Sequence, residues 1–289
     1  MSIRGPQAVF AAAQSWPWAR ALTKARGLTL HRVDVHRFPD GETLVRVPER
    51  VPPSAIVVQQ LHEPDAKWFS LLLIADALRR TGARHVTLVA PYLPYMRQDA
   101  AFHPGEPISQ QVMGRMLRLA FDRVLTVEAH LHRVKRFSQV LPGRSLSAAP
   151  AIASYLRGIR WRGCLAGPDE ESARWVRRVA RLSGLPWIVG EKERHGDRRV
   201  RVTFAGPLPC PEVMLVDDIA SSGATLASAA RALKRLGART IGAIVVHAIF
   251  APGAEERMRR AGIARIVSGD TVPHPTNRIA CAPLVAEAF

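Results

Sequence analysis

Two adjacent acidic residues, Asp217 and Asp218, stand where an apolar run ends and a loop of small residues begins. The loop has hydroxyl side chains at three of its five positions, which are Ser221, Ser222, Gly223, Ala224 and Thr225. Small residues let backbone N–H groups approach a phosphate closely, and the N-terminus of a following helix favours its negative charge. A serine-capped turn from strand to helix would explain the small residues but not the paired acids. The segment therefore predicts a site for a phosphate group with sugar hydroxyls beside it, although the Walker pattern GxxxxGK[ST] is absent.

A second candidate for chemistry is the charged segment 190–201, which carries Lys192 and Arg194 two positions apart. Phosphoryl-type transfer depends chiefly on positioning and on neutralising the charge that spreads over phosphate oxygens, and a pair of cations on a closing loop would supply that. Taken alone, the segment is more typical of a solvated run of charge. Lysine is scarce in this chain, with five among 41 basic residues, which makes Lys192 stand out.

These residues need a framework, and the sequence predicts one of alternating strands and helices. Short β-rich apolar runs recur at 56–58, 86–89, 124–127, 164–166, 187–189, 213–216, 241–246 and 266–267. Helix-period segments lie between several of them, at 68–80, 112–119, 173–182 and 226–236. This alternation is typical of βαβ units and a largely parallel sheet, whose ligands gather at the carboxyl ends of the strands. His130 and Asp169 each follow an apolar run and are expected at such ends.

The chain also contains an internal repeat. Ala77, Leu78, Arg80, Gly82, Ala83 and Arg84 reappear 155 residues later as Ala232, Leu233, Arg235, Gly237, Ala238 and Arg239. Each copy closes a helix with glycine and opens a β-rich run, which favours duplication over chance. With 289 residues, the chain is predicted to form two similar α/β domains, 1–146 and 147–289, with the boundary near the Pro-, Gly- and Ser-containing stretch 141–150.

Charge and cysteines limit the classes of function. The chain has 41 Lys plus Arg and 24 Asp plus Glu, a formal net charge of +17. The basic residues are dispersed and no RNA-stacking signature is present, so we expect no specific nucleic-acid binding. The positive field suits small anionic substrates.

The three cysteines are widely spaced, which favours neither a disulfide framework nor a zinc ribbon and suits a reducing cytoplasm. Apolar runs are too short to span a membrane.

The segment 212–226 resembles the phosphoribosyl diphosphate loop that type I phosphoribosyltransferases share with ribose-phosphate diphosphokinases (PRPP synthetases). Other segments resemble the synthetases specifically, and the likeness extends from Arg37 to the end of the chain. Residues 38–42, FPDGE, resemble that family's adenine-contacting segment, and 91–99, PYLPYMRQD, its ATP-binding stretch. Residues 104–109, PGEPIS, are also similar to some members.

The resemblance implies an α/β fold of two tandem phosphoribosyltransferase-like domains, each with a largely parallel sheet flanked by helices. It implies that ATP binds in the N-terminal domain, through Phe38, Asp40, Glu42, Arg97 and Gln98. Ribose 5-phosphate would bind to the loop 221–225 and to the two acids before it. Lys192 and Arg194 would be catalytic, on a mobile loop of the C-terminal domain. His130 and Asp169 would hold Mg²⁺, with His130 the softer assignment because magnesium prefers oxygen ligands.

The chain departs from the family pattern at five positions near these sites. Glu128, Glu171 and Ser172, Ser221, and Ala224 replace residues usual in the family, and Glu171 adds a carboxylate close to Asp169. The expected activity is transfer of a diphosphoryl group from Mg-ATP to ribose 5-phosphate by a homo-oligomer of at least two subunits. Two alternatives remain: a catalytically silent regulatory homologue that binds nucleotides, and a phosphoribosyltransferase.

Overall fold

The computed structural model describes residues 7–131, 133, 134, 136–195 and 199–289, and the side chains of 194–200 lie outside that description. The chain divides into two compact units. The first is Met1–Leu146 together with Cys281–Phe289, and the second is Ser147–Ala280.

A six-stranded parallel sheet forms the centre of the first unit, in the order β2-β1-β5-β6-β7-β8. Its strands are β1 (Gln7–Ala11), β2 (Thr29–Arg32), β5 (Ser54–Val58), β6 (His85–Ala90), β7 (Arg123–Val127) and β8 (Gly143–Leu146). Its helices are α1 (Trp16–Arg26), α2 (Trp68–Arg80), α3 (Ser109–Ala120) and α8 (Ala282–Ala286). Helix α2 buries Leu71, Ile74 and Leu78 on one face, and each such side chain contributes about 1.5 to 3 kcal/mol by leaving water.

A short antiparallel hairpin accompanies this sheet, built from β3 (Asp34–Arg37) and β4 (Thr43–Arg46). The stretch 30–35 is divided between two strands, β2 and β3. The chain changes direction at Val33, whose side chain is buried and whose N–H donates to the carbonyl of Ala11 at 3.0 Å. Strand β3 thereby leaves the parallel sheet and pairs only with β4.

The second unit has a seven-stranded sheet in the order β11-β10-β9-β12-β13-β14-β15, parallel except for the β10–β11 pair. Its strands are β9 (Cys164–Gly167), β10 (Trp187–His195), β11 (Arg199–Phe204), β12 (Glu212–Ala220), β13 (Thr240–Ala248), β14 (Ile263–Gly269) and β15 (Asn277–Ile279). Its helices are α4 (Ala149–Gly158), α5 (Glu170–Ser183), α6 (Ala224–Arg235) and α7 (Ala254–Arg260). The predicted fold class, α/β with largely parallel sheets flanked by helices, is confirmed.

The internal repeat occupies equivalent places in the two sheets. Helix α2 connects the adjacent parallel strands β5 and β6, and α6 connects the adjacent parallel strands β12 and β13. Each helix is followed by a glycine with positive φ, Gly82 at 124° and Gly237 at 95°. The repeated glycine therefore serves the sharp turn from helix to strand in both units.

Two sequence predictions differ from the structure, a domain boundary and the description of one segment as a loop. The last nine residues belong to the first unit, not to a domain 147–289, because α8 packs against α1 and β7. The segment 190–201 is not a free loop over its described part, because 190–195 lie in β10 and 199–201 lie in β11. In the part of the chain that the structure describes, no helix is both long enough and apolar enough to cross a bilayer.

Candidate functional site

The paired acids lie near the carboxyl end of β12, between β9 and β13. Residues 213–216 are fully buried, whereas Asp217 and Asp218 are partly accessible. Burial raises the pKa of Asp217 well above its ordinary value, and the neighbouring carboxylates of Asp218 and Asp169 raise it further. The N–H of Asp218, 3.0 Å from Oδ1 of Asp217, and the ammonium of Lys192 offset part of that rise. Acidic charge therefore concentrates at this end of the sheet.

The predicted phosphate loop follows directly from β12. Ser221 and Ser222 form the turn, Gly223 adopts the left-handed conformation at φ 71°, and α6 begins at the next residue. Ala224 and Thr225, which the sequence placed in the loop, are therefore the first two residues of the helix. The first N–H groups of a helix have no partner within it, so they are available to an anion. Ser222 Oγ accepts one weak hydrogen bond from the N–H of Ala224, at 3.4 Å.

A side chain at Gly223 would crowd helix α7. A Cβ there would lie 3.0 Å from Met258 Cγ and 3.1 Å from the carbonyl oxygen of Ala254, both on α7. Since few residues other than glycine adopt φ 71°, two independent constraints require glycine at this position.

Lys192 lies on β10 and forms an ion pair with Asp169, with Nζ 2.9 Å from Oδ2. Asp169 also caps α5, since its Oδ1 accepts from the N–H of Ser172 at 3.1 Å. The two side chains of the ion pair are only 15% and 9% exposed. The structure therefore shows Lys192 as a largely buried cation with a carboxylate partner, where the sequence predicted a solvated one.

The β10–β11 hairpin is attached to the rest of the unit through its second strand. Lys192 is opposite Val202, whose side chain is buried. The N–H of Val202 donates to Ser228 Oγ on α6 at 3.0 Å. This contact places the hairpin against the helix that follows the phosphate loop. Arg194, the other predicted catalytic residue, also lies in β10, and its side chain is outside the description.

In the first unit, Phe38, Asp40 and Glu42 form the turn of the β3–β4 hairpin. The N–H of Phe38 donates to the carbonyl of Glu42 at 2.8 Å, and the N–H of Glu42 donates to Oδ1 of Asp40 at 3.0 Å. The Phe38 ring is 41% exposed and lies edge-on to His36, with ring centroids 4.7 Å apart. The turn thus leaves Phe38 partly exposed, which suits a contact between its ring and a planar ligand.

Arg97 and Gln98 lie in the long connection between β6 and α3. Arg97 is exposed, and Gln98 is held at the start of α3, where its carbonyl accepts from Gln110 N at 3.2 Å and its amide oxygen accepts from Ser109 Oγ. The hydrogen bond from Gln110 fixes the Gln98 carbonyl, and the neighbouring Arg97 side chain is exposed and can reach a ligand.

Sequence reasoning missed the residue that fixes this connection, which is Asp99. Its side chain is 2% exposed and accepts from Arg133 Nη1 at 2.6 Å and from Arg133 N at 3.1 Å. Burial alone would raise the pKa of Asp99, but the hydrogen bonds and charge of Arg133 outweigh it and lower the pKa. The partners are separated by 34 positions, so no local pattern indicates the pair.

The two predicted metal ligands lie in different units. His130 follows β7 in the first, and Asp169 follows β9 in the second. Among the described residues, no three His, Cys, Asp or Glu side chains form a group suited to a metal ion. In the second unit, the structure brings Asp169, Lys192, Asp217 and Asp218 into electrostatic contact beside the phosphate loop.

Two largely parallel sheets flanked by helices, with paired acids at the carboxyl end of β12 and a glycine-containing turn into α6, are the architecture that the sequence resemblance implies. Residues 7–120 match the model for the N-terminal domain of ribose phosphate pyrophosphokinase, and 189–286 match that of the phosphoribosyl synthetase-associated domain. The chain belongs to the ribose-phosphate pyrophosphokinase family, which confirms the resemblance drawn from its motifs.

Individual relatives cover almost the whole chain. The ribose-phosphate pyrophosphokinase of Methanopyrus kandleri is 34% identical over 97% of this chain and 97% of that protein. That of Thermococcus kodakarensis is 34% identical over 89% of this chain and 91% of that protein. The crystal structure of phosphoribosylpyrophosphate synthetase from Mycobacterium smegmatis superposes with a TM-score of 0.83 at 24% identity, covering 98% and 97% of the two chains, and shows the same fold.

Proposed function

We propose that this protein is a ribose-phosphate diphosphokinase, which transfers the diphosphoryl group of Mg-ATP to O1 of ribose 5-phosphate. The products are phosphoribosyl diphosphate and AMP. Relatives named ribose-phosphate pyrophosphokinase align with almost the full chain. The observation that carries the proposal is in the second unit, where paired carboxylates lead into an anion loop beside a half-buried lysine.

In this proposal, ribose 5-phosphate binds at the carboxyl end of β12. Its phosphate would accept hydrogen bonds from the N–H groups of 222–225, aided by the positive end of α6. Its ring hydroxyls would meet Asp217 and Asp218, which precede the loop on the same strand. In this arrangement C1 of the sugar, which is remote from the 5-phosphate, would be the end that reacts with ATP.

The reaction forms a bond between the anomeric oxygen and the β-phosphorus of ATP. The bond from that phosphorus to the bridging α–β oxygen breaks, AMP leaves, and the anomeric hydroxyl loses its proton. Lys192 and Arg194 are the proposed catalytic residues, because cations near the transferred group stabilise charge as it spreads over phosphate oxygens. The buried setting strengthens this effect for Lys192, since a less polar surrounding screens its charge less than water does.

Asp169 suits a role in holding Mg²⁺. Its carboxylate already holds a cation, the ammonium of Lys192 at 2.9 Å. Magnesium in phosphoryl-transfer sites is commonly held by one or two carboxylates together with substrate phosphates. His130 is the weaker candidate, because magnesium prefers oxygen ligands, and it would act partly through water. Bound Mg²⁺ would supply charge neutralisation on the ATP phosphates, and the Asp169 carboxylate would hold it.

For ATP we propose the first unit, with Phe38, Asp40 and Glu42 near the adenine and Arg97 and Gln98 near the rest of the nucleotide. The exposed Phe38 ring and the exposed Arg97 side chain support this assignment. We also propose a homo-oligomer of at least two subunits. The hairpin exposes apolar side chains that a subunit contact would cover, namely Val35, Phe38 and Leu44.

A product assay tests the proposal. The parent, Lys192→Ala and the matched control Lys24→Ala, which changes an exposed lysine on α1, are incubated with Mg-ATP with and without ribose 5-phosphate. We expect AMP only when ribose 5-phosphate is present, equal amounts from the parent and Lys24→Ala, and little from Lys192→Ala. No AMP from the parent, with nucleotide binding intact, would instead indicate a silent regulatory homologue. Release of diphosphate from phosphoribosyl diphosphate and a nucleobase would indicate a phosphoribosyltransferase.

A further inference from the structure

Helix α7 and the turn before it contact the predicted phosphate loop at each of its first three residues. The carbonyl of Ser221 accepts from the N–H of Ala251 at 3.1 Å. The carbonyl of Ser222 accepts from Arg257 Nη1 at 2.6 Å. Gly223 lies against Met258 and Ala254 of the same helix. Each of three successive loop residues therefore contacts α7 or the turn that leads into it.

The two held carbonyls determine where the next N–H groups point. In a trans peptide the C=O and the following N–H point in opposite directions, and the structure contains no cis peptide among its described residues. Fixing the Ser222 carbonyl toward Arg257 therefore turns the Gly223 N–H away from α7. The contact from Ala251 does the same for the Ser222 N–H. Both donors then face the side on which an anion can bind.

Arg257 also differs from the neighbouring arginines on α7 in its ion pairing. Arg259 and Arg260 pair with the glutamates four positions earlier, Glu255 and Glu256. Four positions before Arg257 the chain has Gly253, and within the described residues Arg257 makes no ion pair. Its positive charge is therefore not neutralised locally, and it lies directly behind the loop.

We propose that Arg257 is a positioning residue for the phosphate of the sugar substrate. It orients the Gly223 N–H through the Ser222 carbonyl and adds positive charge behind the loop. This inference rests on the proposed function for the identity of the anion. It assigns the specificity for a phosphorylated sugar partly to a residue 35 positions after the loop.

The test compares Arg257→Ala and Arg257→Lys with the matched control Arg260→Ala. Ribose 5-phosphate is titrated into each protein by calorimetry, with Mg²⁺ and the unreactive α,β-methylene analogue of ATP, and inorganic phosphate is titrated separately. Steady-state KM and kcat and the melting temperature are measured on the same samples. Loss of a hydrogen bond from a charged donor predicts that Arg257→Ala binds ribose 5-phosphate about 10- to 100-fold more weakly.

The expected pattern is a raised KM for ribose 5-phosphate with the KM for ATP within about twofold of the parent, because only the loop that holds the sugar phosphate is perturbed. Arg257→Lys keeps the charge but not the guanidinium geometry, so it should fall between parent and Arg257→Ala. Arg260→Ala should match the parent.

Parental ribose 5-phosphate affinity in Arg257→Ala would overturn the inference, as would equal weakening for both substrates or an equal loss in Arg260→Ala. If Arg257→Ala does not fold, Arg257→Lys decides, and parental affinity in it overturns the inference. Failure of the proposed function is distinguishable, because it appears as a parent that forms no AMP. A parent that forms AMP together with an unaffected Arg257→Ala removes only the role of Arg257.

Discussion

Lys192 and Asp169 form an ion pair in which Nζ lies 2.9 Å from Oδ2 and both side chains are largely withdrawn from solvent. One is the proposed catalytic cation and the other the proposed metal ligand. The pair therefore links the β10–β11 hairpin to the carboxyl end of β9. Binding of a metal ion by Asp169, or of a phosphate by Lys192, would therefore alter the ion pair between them.

We predict that Lys192→Ala lowers kcat far more than it raises either KM. A cation that acts mainly in the transition state is worth roughly 10³ to 10⁵ in rate, as arginine fingers are. The free energy of unfolding should also fall, by roughly 1 to 3 kcal/mol, below the about 3 to 5 kcal/mol found when a fully buried pair loses one partner. Steady-state kinetics and urea unfolding of the same preparation measure both effects.

The double variant Lys192→Ala with Asp169→Asn separates the two roles. Removing both charges should restore part of the stability without restoring the rate, because the uncompensated carboxylate is gone. A kcat for Lys192→Ala within about threefold of the parent would show that the lysine is only structural.

The raised pKa of Asp217 predicts a specific dependence of stability on pH. An aspartate in the unfolded chain ionises near about pH 4, whereas folding holds Asp217 in its neutral form to higher pH. The folded protein thus binds more protons in that interval, so stability is lost as pH rises from the unfolded pKa through the folded one. Asp217→Asn should remove this loss, so its stability advantage over the parent should grow as pH rises above about 4.

Thermal melting in EDTA across that pH range measures the effect, with Glu212→Gln as control. Glu212 is an exposed carboxylate at the start of the same strand, so its variant should follow the parent. Because Asp217 is proposed to bind the sugar, Asp217→Asn should also bind ribose 5-phosphate more weakly. A stability difference that stays constant with pH would contradict the assigned environment.

Gly223→Ala should destabilise the protein and weaken ribose 5-phosphate binding. A left-handed backbone costs a residue other than glycine about 1 to 3 kcal/mol, and the new Cβ would lie within 3.1 Å of two α7 atoms. Gly237→Ala is the matched control, with φ +95° and no atom within 4 Å of its Cβ. The control should lose stability but not affinity. Equal affinities for the two variants would remove the loop from the binding site.

Asp99→Ala should raise the KM for ATP about tenfold, since the carboxylate that fixes the connection carrying Arg97 and Gln98 would be lost. Asp76→Ala removes an exposed aspartate that pairs with Arg80 at 2.9 Å, and it should leave the KM for ATP unchanged. Initial rates at varied ATP test this comparison. An unaltered KM in Asp99→Ala would show that the Arg133 contact does not serve nucleotide binding.

The elements that position the site were predictable where apolar runs are short and bounded. The strand 213–216 and the helix that follows it were found because a buried parallel strand reads as a continuous apolar run. The hairpin containing Lys192 was not predicted, because the second half of its first strand is rich in charged residues. Strand β11 alternates polar and apolar residues and buries Val202, a pattern that favours a strand. The many charged residues around it favoured a solvated loop instead.

Contacts between distant residues could not be predicted. Asp99 with Arg133 and Ser222 with Arg257 are 34 and 35 positions apart, and each depends on how separate elements pack. The same holds for the last nine residues, whose return to the first unit depends on α8 packing against α1. Local patterns specify the strand ends that carry the acids, whereas the residues that brace those ends are determined by tertiary structure.

The position of the transferred phosphates distinguishes diphosphoryl transfer from other reactions of ATP. The protein is incubated with ribose 5-phosphate and Mg-ATP labelled in the β-phosphate, and the products are separated and identified by ³¹P NMR. Diphosphoryl transfer predicts that the label appears in a diphosphate attached to the anomeric carbon, with unlabelled AMP formed in equal amount. Label in ADP with a single phosphate on the sugar, or label that remains in ATP, would contradict the proposed reaction.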